Sequence, residues 1–403
     1  MSQTSGRLSH ASDAIPPAHD RGLLRQRSEH AHHKVDFVEL FFDLVFVFAV
    51  TQLSHSLIEH FSAVGAVQTA LLTVAVWWVW IYTTWVTNWL APSTLPVRFA
   101  LLALMLPGLI LSSSIPRAFE TRGLGFAASY VAMQVGRTLF FIWAVKGHPR
   151  MERTFQRILA WLVVAGMFWI SGAFVDSRTA RLGLWTVALS VEFISPAVGF
   201  WVPRLGRSTT ADWNVEGGHM AERCGLFMII ALGESLLVTG ATFAGMTWTA
   251  ARVTALVVSF VGSLAMFWLY FDTMVELGSR AITGSVDPGR IARLVYTYIH
   301  LPLVAGVIVS AVADEFVLAH PTGHTDTATT LAIVGGPCLF LLGNWLFKWA
   351  LTDRMPVSPL AAVAVTVGLA GLAPLLPPVG LMAVATAVLT ASAIWEWRTD
   401  GSA

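Results

Sequence analysis

Twelve long apolar segments dominate this chain of 403 residues, and each is long enough to cross a lipid bilayer. A spanning helix needs about 20 mainly apolar residues. Backbone groups in hydrocarbon must bond one another, and helices do this within one segment. The pattern therefore predicts an all-α polytopic membrane protein. The predicted spans are residues 35–58, 66–90, 95–115, 123–145, 156–175, 180–202, 222–245, 251–276, 291–316, 328–350, 357–375 and 378–397.

Composition agrees with a membrane protein. Hydrophobic residues make up 55% of the chain and charged residues 12%, against roughly 25% charged residues in a typical soluble domain. The net charge of +1 gives no sign of a nucleic-acid partner, so membrane lipid is the expected surrounding. The two cysteines, Cys224 and Cys338, are too few for a disulfide framework or a Cys-x-x-Cys metal site. We predict neither a metal site nor a cofactor.

The distribution of Lys and Arg predicts which side of the membrane each loop faces. If the N-terminus is cytoplasmic, twelve spans place 18 of these residues on the cytoplasmic side and 5 on the outer side. Such a bias is typical of inner-membrane proteins. It predicts that both termini are cytoplasmic. Residues 1–34 are polar and have no short apolar core, which favours a disordered tail over a cleavable signal peptide.

Spans that are six apart resemble one another. Arg98 and Pro107 are nine residues apart in the third span, and Arg293 and Pro302 are nine apart in the ninth. With similar matches in four other pairs of spans, this predicts a parallel 6+6 repeat, a design that transporters use. The predicted units are a tail at 1–34, a first half at 35–202, a linker at 203–221, a second half at 222–397 and a tail at 398–403.

Two acidic residues in the first span carry the strongest functional signal. Glu39 and Asp43 are four residues apart, so a helix places them on one face. A carboxylate in hydrocarbon is costly unless it is paired, protonated or hydrated. One hypothesis is a cation or proton site at the cytoplasmic mouth. The other is a structural pair bonded to an Arg or to helix N-termini.

The seventh span adds further charges. Glu222 and Arg223 open it, and Glu234 follows eleven residues after Arg223 on the same helix face. Glu234 is expected near the middle of the membrane and is the main candidate for a transport or proton-relay residue. The alternative is a buried ion pair, most simply with Arg137.

Other polar residues are secondary candidates. Arg137 and Glu192 are also expected near the midplane, where an Arg needs a partner such as Glu192 or Glu234. Gln52, His55 and His300 could support an ion or substrate site, or could be satisfied packing groups. A further expectation is that Asp314 and Glu315 are solvated at the outer end of the ninth span.

Two motifs resemble a known family. Residues 39–50 (ELFFDLVFVFAV) with 52–55 (QLSH), and residues 219–235 (HMAERCGLFMIIALGES), are similar to signatures of the bacterial low temperature requirement A (LtrA) family. The resemblance extends from residue 35 to about residue 395, with Cys224 standing where an aromatic residue is expected. It implies a multi-pass protein of the bacterial inner membrane. The family is named for growth in the cold, and the name implies no particular reaction.

Three functions remain open at this point. The first is a secondary transporter coupled to protons or cations through buried carboxylates. The second is a membrane-embedded enzyme that acts on lipid, with its acidic residues at one membrane face. The third is a non-catalytic stress or sensory protein. The chain contains no Walker loop, no His-Glu-x-x-His and no Gly-x-Ser-x-Gly motif, which argues against an ATP-driven pump and two classes of hydrolase.

Overall fold

The computed structural model describes residues 22–25, 35–209, 215–283, 285, 287–352 and 355–400. The predicted tail at 1–34 therefore lies outside the described residues except for 22–25. Residues 210–214 of the predicted linker and residues 401–403 also lie outside the described residues.

The described residues form a helical bundle with isolated β-bridges and no β-sheet. The fourteen α-helices, in chain order, are α1 (Phe37–Glu59), α2 (Ala63–Trp89), α3 (Leu95–Ser114), α4 (Gly123–Ala144), α5 (Pro149–Ala173), α6 (Arg178–Ile194), α7 (Gly217–Ala244), α8 (Ala250–Leu269), α9 (Val275–Thr283), α10 (Pro288–Ala292), α11 (His300–Ala319), α12 (Thr327–Thr352), α13 (Val357–Gly368) and α14 (Pro378–Asp400).

Wider or tighter helical turns join several of these helices. A π-helical segment, Tyr270–Met274, continues α8 into α9, and a second one, Arg293–Ile299, joins α10 to α11. A 3-10 segment, Leu369–Leu375, ends α13 before Pro377 and α14. Because π-helical turns are rare and frequently occur at functional sites, the segment before α11 is of particular interest.

The all-helical prediction is confirmed, and the span count is supported in part. Ten helical stretches of the described chain are long and apolar enough to cross a membrane. Each of the twelve predicted spans coincides with a helix, but α4 and α6 do not meet that criterion. The helix α6 has 17 residues, and α4 contains Gln134 and Arg137. The predicted sixth span ends too late, because α6 stops at Ile194 and turns follow it.

The helix α2 lies at the centre of the core. Its side chains Trp77, Trp78 and Trp80 are among the largest that are fully buried. It packs against α1, α4, α6, α7 and α11. The indole N–H of Trp77 donates to the carbonyl oxygen of Thr297 and that of Trp80 to Asp43, whereas the indole N–H of Trp78 has no hydrogen-bond partner among the described residues. The centre of the bundle is therefore aromatic, and two of its indole groups join α2 to neighbouring elements.

The close pair α11 and α12 forms the core of the second half. Gly306, Gly336 and Gly343 lie where the two helices approach most closely. A Cβ at Gly306 would lie 2.6 Å from the backbone nitrogen of Phe340, so a larger residue does not fit there. Pro337 lies within α12 and cannot donate a hydrogen bond to the carbonyl group of Ile333. Small residues thus allow close packing, and one carbonyl loses its helical partner.

Candidate functional site

The helices α1 and α7 face each other through charged side chains. Glu39 and Asp43 lie one turn apart on α1, and His219 and Arg223 lie one turn apart on α7. His219 contacts Glu39, and Arg223 contacts Asp43, so the two pairs form successive rungs. We call these four residues the charge ladder.

The rung between Asp43 and Arg223 is a bidentate ion pair. Arg223 Nη1 donates to Asp43 Oδ2 at 2.8 Å, and Nη2 donates to Oδ1 at 2.9 Å. The indole Nε1 of Trp80 donates to the same Oδ1 at 2.8 Å, and its ring centroid lies 5.4 Å from the guanidinium carbon. Two parallel hydrogen bonds fix the geometry of the pair. Asp43 and Arg223 therefore bind each other and both contact Trp80, and the pair is fully buried.

The rung between Glu39 and His219 carries a second guanidinium group. Glu39 Oε1 lies 3.0 Å from His219 Nε2, and Glu39 Oε2 accepts a hydrogen bond from Arg25 Nη2 at 3.0 Å. The same Oε2 accepts from the backbone nitrogen of Asp36 at 3.0 Å, which completes a capping box at the start of α1. Glu39 therefore caps its own helix as well as binding two basic side chains.

Residues 22–25 hold Arg25 in this position. Arg25 Nε donates to the carbonyl oxygens of Thr87 at 2.8 Å and Leu90 at 3.0 Å, at the end of α2. Leu24 and Leu90 form an antiparallel bridge beside it. This short N-terminal segment therefore lies across the end of α2 and joins the charge ladder to it.

The end of α2 also fixes the second ring nitrogen of His219. Asn88 Nδ2 lies 3.3 Å from His219 Nδ1 and donates to the carbonyl oxygen of Glu216 at 2.9 Å. Asn88 Oδ1 accepts from the backbone nitrogen of Glu216 at 3.0 Å. Both ring nitrogens of His219 thus have polar neighbours, so its ring is held in one orientation.

The hydrated mouth expected at Glu39 and Asp43 is not found. Both side chains have 0% exposure, and Arg25 and Arg223 supply two positive charges against their two negative charges. Burying charges this deeply is tolerated only with such pairing. The geometry matches the structural alternative. That these residues bind an ion or a substrate stays a prediction.

Glu222 does not join the ladder. It is exposed, and its Oε2 accepts a hydrogen bond from the backbone nitrogen of Val35 at 3.2 Å. It precedes Arg223 by one residue and therefore lies about 100° around the helix from it. Glu222 therefore lies apart from Glu39 and Asp43, and a part in ion or substrate binding stays a prediction for it.

Glu234 is buried and contacts α1. It accepts a hydrogen bond from the hydroxyl group of Thr51 and is 8% exposed. Within the described part of the chain it forms no ion pair, so the alternative of a buried ion pair with Arg137 is wrong. A carboxylate with only a hydroxyl partner is a candidate for reversible protonation or cation binding.

Asp314 is a second buried carboxylate of this kind. It lies on α11, is 5% exposed, and accepts hydrogen bonds at Oδ2 from Ser235 at 3.3 Å and Thr239 at 3.5 Å. It lines a small pocket with Ser259 and Ser310, at the junction of α8, α11, α12 and α14. No ion pair of Asp314 occurs among the residues described. The expectation that Asp314 is solvated is therefore wrong.

Arg137 and Glu192 are neighbours but not partners. Arg137 donates to the carbonyl oxygen of Val79 at 3.1 Å, to Thr83 Oγ1 at 3.0 Å, and to Gln134. The carboxylate of Glu192 instead accepts from three donors: Tyr130 at 2.8 Å, Gln134 at 2.8 Å and Trp169 at 3.0 Å. The expected direct ion pair is wrong, and Gln134 bridges the two groups.

The remaining candidates lie apart from one another. His300 is fully buried, is bonded to Tyr270 at 2.8 Å and to the carbonyl oxygen of Val295 at 2.9 Å, and stacks on Trp77. It matches the alternative of a satisfied core residue. Gln52 is half-buried, and His55 is exposed. The structure does not bring these residues together with the charge ladder.

Comparison with known proteins identifies the family. The family model described as bacterial low temperature requirement A protein (LtrA) matches residues 34–394. An uncharacterized protein of Rhizobium meliloti (strain 1021) is 40% identical over 366 residues, which cover 90% of this chain and 89% of that one. The chain belongs to the LtrA family. No solved structure matches it significantly.

The two LtrA motifs meet in the fold. Residues 39–55 supply the α1 side of the charge ladder, and residues 219–235 supply the α7 side. Sequence reasoning included Glu39, Asp43 and Arg223 but missed His219 and Arg25. A usable signal was present, because the four-residue spacing of His219 and Arg223 matches that of Glu39 and Asp43. Nothing local in the sequence pointed to Arg25.

Proposed function

We propose that this LtrA protein is a secondary transporter coupled to a monovalent cation, either H⁺ or Na⁺. The observation that carries the proposal is the carboxylate of Asp314, which is buried inside the bundle with hydroxyl groups as its neighbours and without an ion pair in the described chain. A fixed negative charge in such a place is unfavourable until a cation neutralises it.

The oxygen atoms around Asp314 are suitable ligands for a hard monovalent cation. Ser259, Ser263 and Ser310 line the pocket with it, and the side-chain oxygen of Ser310 has no hydrogen-bond partner. Ile333 and Pro337 line the same pocket, and the carbonyl group of Ile333 cannot accept a hydrogen bond from Pro337. Carboxylate, hydroxyl and carbonyl oxygens are the ligands that hard cations prefer. With one carboxylate, the site is neutral with one Na⁺ or one proton.

Glu234 extends this site toward α1. Glu234 and Ser235 are consecutive residues of α7, and they contact opposite neighbours. Glu234 binds Thr51 of α1, whereas Ser235 binds Asp314 of α11. A cation bound at Asp314 would therefore act on the same turn of α7 that holds α1. This arrangement gives a physical route from cation binding to relative movement of the two helices.

The proposed architecture is a parallel 6+6 repeat of twelve spans, with halves at 35–202 and 222–397 and both termini in the cytoplasm. The support comes from helix pairing. α1 packs on α3 as α7 packs on α11, and α3 packs on α4 as α11 packs on α12. The lysine and arginine bias supports the orientation, and the bacterial inner membrane is the proposed location.

The charge ladder has a different part in this proposal. Glu39, Asp43 and Arg223 are fully buried, and the positive charges of Arg25 and Arg223 balance the two carboxylates, so the ladder needs no cation from outside. We assign them the role of joining α1 to α7 at one end of the bundle. We assign binding of the coupling cation to Asp314, with Glu234 as the supporting carboxylate.

Binding of Na⁺ to the purified protein tests the proposal. Na⁺ binds the native state, so it should raise the unfolding temperature over K⁺ at equal ionic strength. Asp314→Asn should remove this difference, and the exposed residue Asp272 provides the control Asp272→Asn. If H⁺ is the coupling ion, the wild type should instead take up approximately one proton per chain more than Asp314→Asn when the pH is lowered from 9 to 5. If the wild type shows neither the Na⁺-dependent rise in unfolding temperature nor the additional proton uptake, the proposal is refuted.

A further inference from the structure

A second pocket lies at the end of the bundle where α2 ends and α5 begins. It is lined by α2, α4, α5, the turn after α6, and the π-helical segment before α11. Its cavity volume is ≈ 40 Å³, and the empty space including its open mouth is ≈ 560 Å³. The inner part therefore has room for a small polar group of a few atoms.

Two arginines line this pocket, Arg137 and Arg293. Arg137 is 3% exposed and has its Nε without a hydrogen-bond partner. Arg293 is half-buried, and its Nη1 donates to the carbonyl oxygen of Pro196 at 2.7 Å. Neither guanidinium group forms an ion pair with a described carboxylate. The pocket is thus lined by two guanidinium groups that have no direct ion pair among the described residues.

The unused donor of Arg137 is the key observation. A buried guanidinium group normally pairs with an acid, and the carboxylate of Glu192 lies nearby but is bonded to Tyr130, Gln134 and Trp169 instead. An unpartnered buried N–H costs free energy that a ligand would recover. Together with Arg293 it indicates an anion.

The walls of the pocket are aromatic. Trp85, Trp89, Phe155 and Phe200 line it, and Trp85 Nε1 donates to Thr297 Oγ1 of the π-helical segment at 3.0 Å. This hydrogen bond holds the indole ring in place. Flat aromatic walls bind flat apolar groups well. The combination suits a ligand with an anionic group and an apolar body.

We propose that this pocket binds a small organic anion, with its carboxylate on Arg137 and Arg293 and its apolar part against the aromatic side chains that line the pocket. This inference goes beyond the proposed function and does not require it. Binding is an equilibrium property that can be measured whether or not the protein transports Na⁺ or H⁺.

Titration of the purified protein with benzoate tests the inference. The protein is placed in nanodiscs of neutral lipid, and calorimetry and tryptophan fluorescence follow binding. We expect saturable binding of benzoate and none of benzyl alcohol, which lacks the charge. Arg293→Gln should weaken binding by about tenfold or more, because one partner of a charge pair is lost. The control is Arg98→Gln, which changes an exposed arginine on α3 outside this pocket.

The source of the anion is distinguished in the same experiment. If the wild type binds benzoate more weakly in nanodiscs of phosphatidylglycerol than in neutral lipid, and Arg293→Gln shows no such difference between the lipids, a lipid headgroup competes for the same site. Equal affinity in the wild type and Arg293→Gln, or no saturable binding in either lipid, would overturn the inference. Because Arg293 is half-buried, this variant is preferred to Arg137→Gln, whose folding is less certain.

Discussion

Each charged side chain of the ladder lies within hydrogen-bond distance of an opposite charge, and this determines what a substitution costs. Asp43 and Arg223 share two hydrogen bonds in a fully buried environment. Removing Asp43 leaves Arg223 with only Glu39 as a counter-charge, 4.0 Å away and already bonded to Arg25. Removing both leaves a polar but neutral contact. The two kinds of variant should therefore differ greatly in stability.

Asp43→Asn should destabilise the protein strongly. It leaves Arg223 with no full counter-charge in a buried site, and breaking a buried pair in this way costs about 3–5 kcal/mol. Thermal unfolding in detergent, followed by size-exclusion chromatography, measures the loss. The double variant Asp43→Asn with Arg223→Gln should recover part of it. Single and double variants of equal stability would contradict the structural role of this rung.

Sequence reasoning at this scale succeeded where spacing carried the information. The separation of Glu39 and Asp43 predicted one helix face correctly. It could not supply Arg25, which reaches the ladder through contacts with Thr87 and Leu90 that lie more than 60 residues away. Asp314 was misjudged because its position near the end of a span says nothing about the hydroxyl groups that neighbouring helices bring to it.

At the scale of the helices, the packing of α11 on α12 depends on glycine. A Cβ on residue 336 would lie 2.7 Å from the backbone nitrogen of Ser310, whereas a Cβ on residue 335 would have its nearest neighbour at 3.8 Å. Backbone atoms cannot move aside as a flexible side chain can. Adjacent glycines of one helix therefore have different roles, and they provide a matched comparison.

Gly336→Ala should destabilise the protein by about 1–3 kcal/mol, the usual effect of overpacking. Gly335→Ala is the control and should have little effect, because its Cβ enters ordinary van der Waals space. Unfolding temperatures of the two variants in the same detergent measure the difference. Equal values would mean that α11 and α12 are not packed as closely as described here.

Element boundaries show where the sequence was informative about helices. Apolar runs predicted twelve helical segments, and the predicted break between residues 375 and 378 is found directly before α14. The π-helical turn between α10 and α11 could not be predicted. It has no simple residue signature, and it depends on contacts such as the hydrogen bond from Trp77 Nε1 to the carbonyl oxygen of Thr297 at 2.8 Å.

For the whole molecule, the central prediction is that both termini lie in the cytoplasm. Thiol labelling tests it in a background with Cys224→Ser and Cys338→Ser. A cysteine at position 5 or 402 should react with an impermeant maleimide only in inside-out vesicles. The control Thr322→Cys, in the loop between α11 and α12, should react in intact spheroplasts. Labelling of both kinds of site from the same side would contradict twelve crossings.

The same assay examines α4 and α6, whose composition is less typical of spanning helices. If both cross, Asp176→Cys in the loop before α6 should react from outside. Hydropathy predicted the membrane class and the positions of the helical segments, since both depend on local composition, and ten of the predicted spans coincide with helices long and apolar enough to cross a membrane. It could not predict which buried carboxylates would find basic partners, because that depends on which helices pack against one another.

Charge displacement on a solid-supported membrane tests most directly whether the mobile charge lies at Asp314 and not in the ladder. A jump in Na⁺ or H⁺ concentration should produce a transient current in proteoliposomes of the wild type. The current should vanish in Asp314→Asn and persist in the double variant Asp43→Asn with Arg223→Gln. An unchanged current in Asp314→Asn, or a current lost only in the double variant, would contradict the account.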